Sequence, residues 1–314
     1  MSPSALPVAR ACELDSQPQA QCWLLEGLWA RSAIGLIGGA PKCCKTWLGL
    51  DMAVSVASAT PALGHFACQA SGTALVYLAE DALPQVRARI EALCQERGAN
   101  IRSLDLHVIT APLLRLDLAA DQERLARTVE TLRPRLLLLD PLVRLHRLDE
   151  NSAAEISGLL GYIRDLQRRF DLAVVLVHHA SKKQRSQPGQ ALRGSSDLHA
   201  IGDSNAYLAR EGKHIVLTLE HRAARAPDPV RLELVTNPDG EGAHLRVVAP
   251  ASPQADPPDL ESRILERFTP ASQPLSRAAL RAALRVNNQR LGQALEHLED
   301  QGRIARTPQG WVSG

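Results

Sequence analysis

Gly39-Ala-Pro-Lys-Cys-Cys-Lys-Thr46 is the stretch that decides the fold. The apolar run Ala33-Ile-Gly-Leu-Ile37 precedes it, and Trp47-Leu-Gly-Leu-Asp-Met-Ala-Val-Ser-Val-Ala57 follows with the composition of a helix. Strand, loop and helix in that order, with Gly first in the loop and Lys-Thr last, make a P-loop in all but one position. Backbone N–H groups and the positive end of the helix dipole cradle phosphate oxygens in such a loop. Lys45 is expected to reach the β- and γ-phosphates of ATP, and the Thr46 hydroxyl to hold Mg²⁺. The pattern has glycine where this chain has Cys44, and a β-carbon there restricts how closely the loop wraps phosphate. The expected nucleotide-binding set is Gly39, Ala40, Pro41, Lys42, Cys43, Cys44, Lys45, Thr46 and Trp47, with the backbone amides of 40–46 foremost.

Outward from the loop, strands and helices alternate from residue 30 to 248, which predicts an α/β domain with a mostly parallel sheet flanked by helices. Strands are predicted at 33–37, 74–78, 106–109, 136–139 and 173–177, and a hairpin at 215–219 and 230–234. Helices are predicted at 45–58, 83–97, 121–132 and 152–169. Residues 1–29 form a lead-in. Residues 249–258, rich in Pro and small side chains, read as an extended linker.

Three of the predicted strands end in polar residues, at the sheet edge where ligands of open α/β sheets sit. Arg135-Leu-Leu-Leu-Leu-Asp140-Pro ends in an acid that would position Mg²⁺ through water; an Asp before Pro is also an ordinary turn starter. Leu75-Val-Tyr-Leu-Ala-Glu80-Asp81 supplies a carboxylate to orient attacking water, Glu80 first and Asp81 second. Asp81 could equally cap the next helix, with Pro84 in its first turn. Val174-Val-Leu-Val-His178-His179 offers a polar side chain to sense the γ-phosphate. The alternatives are core-edge histidines satisfied by backbone, or a metal site, which the divergence of adjacent strand side chains disfavours. Ser181–Gln190 is a basic, polar loop, either solvated or touching DNA. Arg222 and Arg225 lie in the hairpin turn, either as a charged tip or as an arginine finger reaching a neighbouring subunit's γ-phosphate.

The formal net charge of +2 gives no global basic field, so any nucleic-acid surface must be local. Six cysteines without C-x-x-C spacing point to neither a zinc site nor a disulfide framework, and to a reducing, cytoplasmic setting. No signal peptide and no membrane-spanning run are read in the chain. Oxidation of Cys43 or Cys44 would crowd the phosphate site, although two small residues packed under the loop is the preferred reading.

Residues 20–248 resemble the RecA-like ATPases of the hexameric RepA-type replicative helicase family. The resemblance is carried by Gly38–Asp51, Val76–Asp81, Leu138–Leu142, Leu176–His179 with Lys182, and Leu192–Ser196. It implies a RecA-like fold, ATP and Mg²⁺, a homo-oligomeric ring with ATP at each interface, and single-stranded DNA in or near the channel. It also implies that Lys45 and Thr46 are the Walker A pair, Asp140 the Walker B acid, Glu80 the catalytic carboxylate, His179 the sensor and Arg222 the finger, with Arg225 second.

Residues 259–314 resemble a winged helix-turn-helix. Apolar positions 264, 265 and 268, then 275, 279, 280 and 283, then 291, 295 and 298 predict three helices, and 302–312 predict a β-ribbon turning at 308–310. Arg277, Arg281, Arg285 and Arg290 fall in a stretch without acids, a phosphate-binding footprint for duplex DNA or the solvated face of a protein-interaction module. The expected function is a DNA-associated, ring-forming ATPase of helicase type. An ATP-gated DNA-binding regulator without motor activity is the alternative; a small-molecule P-loop kinase fits the C-terminal module poorly.

Overall fold

The computed structural model describes residues 8–13, 23–179, 196–236, 242–248, 260–268, 274–284, 286 and 288–313. The expected basic loop 181–190, the motif 192–195, the linker 249–258, Arg285 and most of the lead-in lie outside the described residues. The chain divides into two compact units, residues 1–248 and 249–314.

The first unit opens with the short strands β1 (Trp23–Leu25) and β2 (Trp29–Ala30). There follow β3 (Ile34–Gly39), α1 (Lys45–Ser58), β4 (Ala74–Leu78), α2 (Leu83–Glu96), β5 (Leu106–Val108), α3 (Ala119–Leu132), β6 (Leu136–Asp140), α4 (Ala153–Phe170) and β7 (Ala173–His179). The short helix α5 (Ser196–Ala200) leads to β8 (Ser204–Glu211), β9 (His214–His221), β10 (Val230–Thr236) and β11 (Ala243–Val247). Among the described residues these build a nine-stranded sheet, ordered β11-β10-β9-β8-β3-β7-β6-β4-β5. From β8 to β5 all neighbours are parallel, and β8 through β11 pair antiparallel.

Buried β3, β4, β6 and β7 are near-continuous apolar runs, as strands covered on both faces must be. Alternate residues serve opposite faces. Ile37, Val76, Leu138 and Val175 pack with α1 and α2, whereas Leu36, Leu75, Leu137 and Leu176 pack with α3 and α4. Gly35 is required by a close approach: a Cβ there would stand 1.6 Å from the Ser204 carbonyl oxygen of β8. A buried ion pair ties α1 to the end of α2, with Arg97 2.5 Å from Asp51, whose other oxygen accepts from the Leu63 amide at 2.7 Å. Burial pushes the Asp51 carboxyl up, and Arg97 opposes that shift.

The predicted hairpin is present as β9 and β10. Strands β8 and β11 were not anticipated. β8 has only the short apolar stretch Ala206–Ala209 between polar ends, yet it lies centrally between β3 and β9.

The second unit contains α6 (Leu260–Leu265), α7 (Arg277–Leu284), α8 (Asn288–Asp300) and the antiparallel pair β12 (Ile304–Thr307) and β13 (Gly310–Ser313). Ile264, Leu280, Leu291, Leu295, Leu298 and Trp311 form its core. Among the described residues no helix is long and apolar enough to cross a membrane.

Candidate phosphate-binding site

Beyond the carboxyl ends of β3, β4, β6 and β7, a cavity of about 260 Å³ is lined by residues 42–47, Glu80, Asp81, Arg89, Asp140, Val177 and His179. Four separate stretches of sequence meet there because parallel strands end on one side of the sheet. β3 ends at Gly39, where a Cβ would come within 2.5 Å of the Leu208 carbonyl oxygen. The loop then turns into α1, whose first residue is Lys45. Lys45 Nζ donates to the carbonyls of Gly39 and Ala40, each at 2.9 Å. Burial lowers the affinity of this amine for its proton, while the Cys43 thiol, Asp140 and Glu80 oppose the shift.

Cys44 is the residue before α1 and has left-handed backbone, φ 62° and ψ 29°. That conformation is the physical reason a glycine suits this position. Lys42 is left-handed as well, at φ 65°. Burial pushes the Cys44 thiol up, the direction that disfavours a reactive thiolate.

Asp140 is buried at the end of β6, and the Thr46 hydroxyl hydrogen-bonds to it. Burial raises its pKa to about 6, with Thr46 opposing and the nearby Asp81 carboxylate adding to the rise. Among the described residues its Oδ2 has no hydrogen-bond partner. A hydroxyl, an orphaned buried carboxylate oxygen and neighbouring acids are hard oxygen donors, the set that suits Mg²⁺. Among the described residues no group of three His, Cys, Asp or Glu side chains forms a metal cage.

Glu80 and Asp81 each meet an arginine. Arg144 donates to Glu80 at 2.7 Å, and Arg89 to Asp81 at 2.5 Å. Asp81 does not cap α2: the capping residue is Ala82, without a side-chain bond. Arg89 also lies 5.4 Å from the Trp47 ring centroid, joining that indole to the acid wall. The paired histidines separate. His179 lines the cavity, while His178 is buried with Nδ1 3.7 Å from Glu150 Oε1. His146 Nε2 stands 3.7 Å from the same oxygen.

Arg222 is not at this site. It follows β9, whose end pairs with the start of β8, so it stands at the opposite sheet edge. There it lies 3.4 Å from Asp203, and its amide donates to the Asp203 carbonyl. Sequence reading missed Arg89, Arg144 and Arg210. Arg210, near the end of β8, donates to the Lys42 carbonyl at 3.3 Å. None belongs to a recognisable motif; Arg89 and Arg144 meet the acids that follow β4, and the pairing of β8 with β3 brings Arg210 to the loop.

A family model described as an AAA domain matches residues 2–185, more than half of the chain. Among solved structures, the chain is similar to one described as an ATPase domain, at 14% identity and TM-score 0.52, covering 65% of this chain and 82% of that one. It is similar to the RadB recombinase at 15% identity and TM-score 0.50, covering 69% and 91%. It is also similar to a DnaB-like replicative helicase, solved in a study of its interactions with primase, at 15% identity and TM-score 0.53, covering 68% and 57%. No curated protein matches. At these identities the likenesses speak for the fold, which is RecA-like.

Proposed function

The chain belongs to the AAA domain family, and from that premise we propose that it is a cytoplasmic, DNA-associated, ring-forming ATPase of the RepA-type helicase class. The carrying observation is the convergence of Lys45, Thr46, Glu80, Asp140 and His179 on one cavity over the P-loop. The fold alone hosts many activities, so the site carries the argument.

In this reading the backbone N–H groups of residues 40 and 42–46 and the N-terminus of α1 bind the phosphates of ATP. Lys45 leaves the loop carbonyls for the β- and γ-phosphate oxygens. Thr46 and Asp140 would hold Mg²⁺, which would supply positive charge to the phosphate oxygens. Glu80 orients the attacking water and accepts its proton. His179, at the end of β7, reports the phosphate state to the segment that follows it. Arg222, remote from the site of its own subunit, acts across an interface on the neighbour's γ-phosphate, with Arg225 as the second choice. A homo-hexamer with single-stranded DNA in the channel accommodates both roles.

The second unit acts as a winged helix at duplex DNA. Its three helices followed by a β-ribbon support that reading, as do the exposed Arg277 and Arg281 on α7.

Lys45→Ala should abolish ATP turnover, and retained turnover would refute the site. DNA-stimulated hydrolysis with strand displacement is the expected result for the intact chain. The left-handed Cys44 favours a second reading, an ATP-gated DNA-binding regulator. ATP-dependent DNA binding without displacement would select it.

A further inference from the structure

We propose that Arg210 is a positioning residue for the P-loop, holding residues 42–44 in the left-handed turn that Cys44 adopts only under constraint. The inference rests on the nucleotide-binding reading above and adds a residue that reading does not use.

Lys42 and Cys44 have φ of 65° and 62°, two left-handed side-chain-bearing residues within three positions. Backbone of this kind persists only where the surroundings over-determine it. Within the loop, the side-chain holds are those of Lys45 on Gly39 and Ala40. Those are the bonds Lys45 relinquishes when it turns to phosphate. The hold that survives must come from outside the loop.

β8 supplies it. It runs parallel to β3 with Leu208 beside Gly39, so Arg210, two residues on, stands next to the loop. Its Nη2 donates to the carbonyl of Lys42 at 3.3 Å. A guanidinium carries several N–H donors in a fixed fork and no acceptor, which suits it to holding a carbonyl. Glycine at position 44 would take the left-handed turn freely and make that grip dispensable. Arg210 therefore compensates for the cysteine.

The experiment is a double-mutant cycle on the full chain, titrated with a fluorescent ATP analogue and Mg²⁺. Loss of one charge-assisted hydrogen bond predicts that Arg210→Ala weakens binding about fivefold when Cys44 is present, and less than about twofold in the Cys44→Gly background. Arg210→Lys should stay within about twofold of the parent, since a lysine still donates to a carbonyl. Equal losses in both backgrounds would mean that Arg210 touches the nucleotide itself, and would overturn the positioning role; so would no loss beside Cys44. The same four proteins are then compared by amide hydrogen exchange without nucleotide. Arg210→Ala should speed exchange across residues 40–46 by about tenfold beside Cys44, and not beside glycine. Unchanged exchange would overturn the proposal. This second arm needs no ligand. A parent chain that fails to bind the analogue therefore refutes the nucleotide reading alone, and the exchange data still decide on Arg210.

Discussion

Cys44 holds a backbone conformation that costs a side-chain-bearing residue about 1–2 kcal/mol relative to right-handed geometry. Replacing it by glycine removes that cost but frees the unfolded chain, which takes back about 0.4–1 kcal/mol. Cys44→Gly should therefore change stability by no more than about 1 kcal/mol in urea unfolding, while nucleotide affinity rises. Asp140 allows a complementary test. Asp140→Asn keeps the shape of a buried side chain and removes its charge beside Thr46. Turnover should fall by about 10²-fold or more, with nucleotide binding far less affected, as separate ATPase and binding titrations would read. At this scale the sequence was legible where chemistry clusters in a motif. Lys45, Thr46, Glu80, Asp140 and His179 could each be named from a strand end or a loop, and all five line one cavity. Arg89, Arg144 and Arg210 could not: none sits in a motif, and Arg144 and Arg210 reach Glu80 and Lys42 only through the order of the strands.

Elements built on apolar runs were readable from composition: β3, β4, β6 and β7 are buried on both faces and carry little else. β8 was hidden by the demands of its own position. Its residues Ser204 and Asn205 are buried and polar because they serve neighbouring backbone, Ser204 accepting from the Ala30 amide and Asn205 from the Leu36 amide. With polar residues at both ends, its short apolar stretch gives pattern reading little to hold. Its closeness to β3 yields a prediction for the element. Gly35→Ala would drive a methyl group into the Ser204 carbonyl, separating the two strands, and should cost about 3 kcal/mol or more in chemical denaturation. The α1–α2 tie predicts a similar loss by another route. Asp51→Ala leaves the buried Arg97 without its carboxylate and should destabilise by about 3–5 kcal/mol, whereas removing both charges should cost less.

For the whole molecule, the position of Arg222 sets the decisive measurement. In the proposed ring, a residue at the edge of the sheet away from the phosphate cavity would serve hydrolysis from a neighbouring subunit. Light scattering should report a larger species with ATP and Mg²⁺ than without. Mixing inactive Lys45→Ala chains with inactive Arg222→Ala chains should restore part of the turnover, because some interfaces then combine an intact loop with an intact arginine. No recovery on mixing would exclude the trans arrangement.

β7 and β8 flank the P-loop strand on its two sides, and they are consecutive in the chain, joined through residues 180–203. One covalent tether thus spans both walls of the phosphate cradle, from His179 on one side to the strand bearing Arg210 on the other. The two walls of the loop therefore belong to one continuous stretch of chain, with the P-loop strand inserted between them.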